Sequence, residues 1–140
     1  GYDKSNVNDF LSDVSDFLYK KGYVKDTFKN AILEREGLYP TGLPTQGVAV
    51  AIPHTNIEHA LKPCILVNKP KIPVVFKQMA DGVKDVYAKL IFVVVVTDPK
   101  KEVKVLQYLM DYFLNEEKLM NIYRQNNAED MYNTLIKVTE

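Results

Sequence analysis

The sequence has a single cysteine, no tryptophan, only two histidines and no surplus of either charge. Each scarcity excludes something. One cysteine, Cys64, cannot form an intrachain disulfide, and no Cys-x-x-Cys or His-Glu-x-x-His pattern is present to build a metal site. With 18 basic and 18 acidic residues the formal net charge is zero, so nothing draws the chain as a whole to nucleic acid or to an anionic membrane. No apolar run approaches the ~20 residues that cross a bilayer, and direct membrane insertion is not expected. The N-terminal residues are polar and carry no secretory signal, which with the lone cysteine points to a reducing, cytoplasmic compartment. Gly1 at the start leaves room for a longer native chain. No G-x-G-x-x-G, Walker loop or G-x-S-x-G occurs, so nucleotide binding and serine hydrolase chemistry have no motif behind them.

What is present is an ordinary globular balance, 46% apolar and 26% charged over 140 residues, enough for one domain spanning residues 1–140. Apolar residues at 7, 10, 11, 14, 17 and 18 repeat with the helical period, and Lys20-Lys21-Gly22 ends that helix. Asp26 or Thr27 caps a second helix through about Glu36, with Phe28, Ala31, Ile32 and Tyr39 turned inward and Gly37 as its stop. Residues 48–52 and 64–67 read as short strands, residues 74–76 as a brief one and residues 79–82 as a turn. Residues 90–96, without a polar side chain, read as a central strand covered on both faces. Helical spacing returns from about 101 to 114, then over 116–123 and 128–138. Strands alternating with helices predict an α/β fold, a three-layer α/β/α sandwich with a mixed central sheet.

The stretch richest in chemistry is Gly47-Val-Ala-Val-Ala-Ile-Pro-His54. Pro53 cannot donate to a sheet ladder, so the strand ends there and places His54 at its carboxyl end, where open α/β sheets bind ligands. His54 is therefore a candidate nucleophile or proton carrier. His59 can orient His54, share a metal with it or be a surface residue, but a third metal ligand is missing. Arg35, in Glu34-Arg35-Glu36, is either part of a solvated ion-paired face or an anion clamp, since guanidinium meets phosphate oxygens bidentately. Cys64, followed by Ile-Leu-Val, reads as a small core residue rather than a reactive thiol.

Two segments together, Ala31-Ile-Leu-Glu-Arg-Glu-Gly-Leu-Tyr-Pro-Thr-Gly-Leu43 and Gly47-Val-Ala-Val-Ala-Ile-Pro-His54, resemble the enzyme IIA domain of the sugar phosphotransferase system, in the fructose–mannitol superfamily and its galactitol-type branch. The resemblance runs over nearly the whole chain. It implies a phosphotransferase without metal or cofactor, in which the small phosphocarrier HPr gives a phosphoryl group to His54 and a cysteine of enzyme IIB takes it on, with the membrane component IIC a partner only indirectly. The family's phosphoryl-holding arginine matches Arg35. Its second active-site histidine has no counterpart here: Glu102 stands at that place, which leaves His59 as the candidate for the supporting role. The same resemblance admits an alternative, a regulatory module whose phosphorylation changes the binding of a partner protein or transcription regulator.

Overall fold

A strand made only of apolar side chains needs cover on both faces, and residues 90–95 have it. The computed structural model describes residues 5–125. They form α1 (Val7–Lys20), α2 (Phe28–Leu38), β1 (Gly42–Leu43), β2 (Val50–Ala51), a 3-10 turn (Ile57–His59), β3 (Cys64–Asn68), β4 (Val74–Lys77), β5 (Asp85–Ala88), β6 (Leu90–Val95), α3 (Pro99–Leu114) and α4 (Glu116–Tyr123). Along β6 the side chains alternate between two cores, as the pleat requires. Ile91, Val93 and Val95 pack with Phe10, Leu11, Val14 and Leu18 of α1 and with Phe28 and Ile32 of α2. Leu90, Phe92 and Val94 pack with Leu109 and Phe113 of α3 and with Leu119 and Ile122 of α4. Helices on both faces of one sheet make the three-layer sandwich that the alternation of elements predicts. Each such buried side chain contributes ~1.5–3 kcal/mol, and every residue of β6 is buried.

The central sheet has the order β1-β2-β6-β3 and is mixed: β1 runs antiparallel to β2, β2 parallel to β6, and β3 antiparallel to β6. The fourth and fifth strands lie outside it. β4 and β5 pair as a hairpin of their own, turned at Gly82 with φ +67°, and pack toward α1, where Phe76 meets Phe10 edge-on at 6.4 Å. Gly42 fits where β1 passes this hairpin because it has no side chain; a Cβ there would lie 2.6 Å from the Lys77 carbonyl oxygen.

The helix ends follow local chemistry. Asn6 caps α1 by accepting from the Asn8 and Asp9 amides at 2.8 and 3.1 Å, and Gly22 with φ +82° follows its C-terminus. Asp98 caps α3 through the Lys100 amide at 2.9 Å, with Pro99 in the first helical position, so that helix begins two residues before the expected start. α2 departs from expectation at its end. Gly37 stays helical, the helix runs to Leu38, and Tyr39 is 61% exposed rather than turned inward, where the backbone leaves helical geometry. Phe17 is likewise exposed. The expected helix over 128–138 lies outside the described residues. Among the described residues no helix is long and apolar enough to cross a membrane.

Candidate functional site

β2 carries the chain from the core to His54 in one continuous register. Val50 pairs with Leu90 and Ala51 with Ile91, and beyond the strand His54 still bridges Val94 in the same parallel offset. The Pro53 carbonyl keeps that link by accepting from the Val94 amide at 3.0 Å, although Pro53 itself has no N–H to give. His54 is thus fixed at the carboxyl end of a buried strand and is 8% exposed.

The imidazole is oriented by its own backbone. His54 Nδ1 lies 2.7 Å from the Ile52 carbonyl oxygen. A carbonyl only accepts, so Nδ1 must carry the proton, and in the neutral ring the lone pair falls on Nε2. A ring nitrogen with a free lone pair at a fixed place is what nucleophilic attack on phosphorus needs.

His59 closes the 3-10 turn after His54 and faces away toward other partners. Its Nδ1 is 2.8 Å from the Thr27 hydroxyl at the start of α2, and its Nε2 is 3.6 Å from Glu58. The Lys25 amide donates to the His59 carbonyl at 2.9 Å. These links tie the segment following His54 to the α1–α2 connection. Among the described residues no hydrogen bond joins the two histidines.

Arg35 sits in the last turn of α2 and stacks on the Tyr39 ring, guanidinium carbon to ring centroid 4.9 Å. Its Nε is buried and has no hydrogen-bond partner in the structure. A buried donor without a partner is costly and rare. The neighbouring Glu36 is a buried carboxylate: the Thr41 amide donates to its Oε2 at 2.7 Å and the Thr41 hydroxyl to its Oε1 at 2.8 Å. Burial pushes its carboxyl up to about 7, against the opposing pull of the Thr41 hydrogen bonds and of the Arg35 guanidinium. Thr41 directly precedes β1, where Gly42 pairs with Ala51 and Leu43 with Val50 of β2, the strand that leads to His54.

Glu36 and Thr41 escape a reading of the sequence, in which Glu-Arg-Glu passes for a solvated run. The signal was the spacing of an acid and a threonine across the end of α2 and Tyr39-Pro40, too common to stand out. Glu102 lies in the first turn of α3, directly after β6, and its amide donates to the Asp98 carbonyl at 3.0 Å. Cys64 is half-buried at the sheet edge, and burial pushes its thiol up to about 11, which suppresses the reactive thiolate.

Known proteins are similar to this chain in sequence and in fold. Residues 2–138 match the family described as phosphoenolpyruvate-dependent sugar phosphotransferase system, EIIA 2. The galactitol-specific EIIA component of Escherichia coli K12 is 35% identical over 107 residues, which are 76% of this chain and 69% of that protein. Among solved structures, the IIA mannitol protein of Escherichia coli superposes with a TM-score of 0.73 at 21% identity, over 96% of this chain and 92% of that one. The complex of enzyme IIA mannitol with phosphorylated enzyme IIB mannitol, also from Escherichia coli, gives a TM-score of 0.75 at 20% identity, over 98% and 92%. At these identities the structures share the fold.

Proposed function

The chain belongs to the EIIA 2 family of the phosphoenolpyruvate-dependent sugar phosphotransferase system, and from that membership we propose that His54 is the residue that carries its phosphoryl group. A member of this family is a phosphotransferase, a phosphohistidine relay in sugar uptake, and the 35% identity places the chain in the galactitol-type branch. Residues 1–140 act as one IIA-type unit in this reading. The observation that carries the assignment to His54 is the 2.7 Å hydrogen bond from Nδ1 to the Ile52 carbonyl, which leaves Nε2 as the nucleophile.

The relay has two steps. The Nε2 lone pair attacks phosphorus on the phosphohistidine of HPr, the donor's P–N bond breaks, and the electron pair returns to the HPr ring. A cysteine thiolate of enzyme IIB then attacks the phosphoryl group on His54, the new P–N bond breaks, and Nε2 regains its lone pair. Nδ1 keeps its proton on the Ile52 carbonyl throughout. The likeness to a IIA solved together with phosphorylated IIB supports the second partner. Arg35 supplies cationic charge to the transferring group, whose transition state needs positioning and neutralisation more than covalent help. Its unpartnered Nε supports that role. His59 supports the site indirectly, by anchoring the segment after His54 to Thr27.

Incubation with phosphoenolpyruvate, enzyme I and HPr, followed by intact mass and site mapping without acid, tests the assignment. One phosphoryl group on His54 is expected. A phosphoryl group on any other residue, or undiminished labelling of His54→Ala, overturns it.

A further inference from the structure

Glu36 has no part in making or breaking a P–N bond, yet it is a carboxylate held 8% exposed beside the one arginine of the site. Both of its oxygens are engaged by a single residue, Thr41, at 2.7 and 2.8 Å. The two bonds close a ring around the turn from α2 into β1. Within that turn the Tyr39 amide donates to the Arg35 carbonyl at 2.7 Å, and Pro40 has no amide to offer. Thr41 is itself 2% exposed. On one side Thr41 directly precedes Gly42, which pairs with Ala51 of β2. On the other, the Gly42 carbonyl accepts from the Met79 amide at 2.8 Å, just past β4. Where the last turn of α2 stands relative to the strand bearing His54 is therefore decided at the Glu36–Thr41 link. Arg35, on the same helix, is the charged group that acts on Glu36, and Thr41 is its polar partner.

We propose that Glu36 is a positioning residue of the phosphoryl site, holding Arg35 in register with His54 through its two hydrogen bonds to Thr41. The inference rests on the reading of Arg35 as the cation that meets the phosphoryl group. Its chemistry is specific: what matters is a side chain that accepts from the Thr41 amide and bonds the Thr41 hydroxyl at the same time. A glutamine does both without a charge, its carbonyl accepting from the amide and its NH2 donating to the hydroxyl. An alanine does neither.

Single-turnover transfer from phospho-HPr at saturating donor, measured with thermal melts, separates positioning from plain structural support. Glu36→Ala lowers the rate by roughly 10- to 100-fold, as a misplaced group remote from the reacting atoms does, while the apparent KM for phospho-HPr and the final extent of labelling hold. Glu36→Gln restores the wild-type rate. Thr41→Val, which removes one of the two bonds, falls between them and serves if Glu36→Ala does not fold. Because Glu36 acts through Arg35, the double variant Glu36→Ala/Arg35→Ala is no slower than Arg35→Ala alone. Folded Glu36→Ala or Thr41→Val with wild-type rates, or effects of the two alanines that add, would overturn the inference. Wild-type transfer by Arg35→Ala alone would instead remove the reading of Arg35 on which it stands, and that result is visible without any change at Glu36.

Discussion

His54 and His59 are the chain's two histidines, five positions apart, and they are held in opposite ways. The Nδ1 of His54 faces a backbone carbonyl, which only accepts and so dictates the tautomer. The Nδ1 of His59 faces the Thr27 hydroxyl, which both donates and accepts and so dictates nothing, while its Nε2 lies near the Glu58 carboxylate. One ring is oriented by the backbone so that its other nitrogen is set free, and the other is tied through Nδ1 to a side chain. The difference teaches that a histidine becomes a nucleophile through the partner of its other nitrogen. Nearness in sequence to a reactive position confers nothing of the kind.

The largest effect belongs to the ring that is set free. His54→Ala abolishes phosphorylation by phospho-HPr while the circular dichroism spectrum and melting cooperativity stay native, since the side chain adds little to either core. Retention of an acid-labile phosphoryl group in this variant would break the comparison at its root.

A second buried group sharpens the point that surroundings fix protonation. The Glu36 carboxyl lies near 7 in the fold against an ordinary 4.5. Between those values the folded protein holds a proton that the unfolded chain releases, so this contribution to stability is complete below the lower value and is lost as pH rises through the upper one. Glu36→Gln has no such loss. From about pH 5 to pH 8 its denaturant-derived stability should gain on the wild type by up to roughly 3 kcal/mol. Parallel pH profiles for the two proteins would refute this.

Third in size is Arg35→Lys. A point charge cannot reproduce the fork of a guanidinium, and phosphoryl transfer to and from His54 should slow by an amount worth ~1–3 kcal/mol. Unchanged rates in rapid-quench assays would reduce Arg35 to surface charge stacked on Tyr39.

The smallest effect falls on the other histidine. His59→Ala leaves His54 fully phosphorylatable, costs about 1 kcal/mol of stability through the lost Thr27 bond, and slows onward transfer to IIB modestly as the following segment loosens. Thr27→Val should do the same. A phosphoryl group mapped to His59 in the wild type would reverse the comparison, and unaltered IIB transfer in His59→Ala would leave His59 a structural pin alone.

Much of this molecule is legible in its sequence where a single element states its own requirement. Residues 90–95 carry no polar side chain and do lie between two helical layers; Thr27 stands at the start of α2, though its hydroxyl bonds His59 and does not cap the helix; Pro53 ends the ladder and His54 stands just past it. Legibility fails where the outcome depends on elements far apart. β4 carries the same apolar signature as a central strand, but its partner is β5, and nothing local says that the hairpin leaves the main sheet. Tyr39 reads as core by hydrophobicity, but it follows the end of α2, is exposed and stacks with Arg35. Glu36 reads as solvent-facing by charge, and only Thr41, brought over by a turn, makes its burial tolerable.

β6 gives one side of its residues to each core, and this has a consequence for how the protein opens. Two cores that share a wall cannot melt one at a time, because losing either strips a face from the same strand. The fold should then lack a half-open form, and exchange of the Val94 amide proton, bonded to the Pro53 carbonyl, should occur only through global unfolding. The segment that carries His54 would then be moored to the slowest-exchanging part of the chain, which would hold the ring in place.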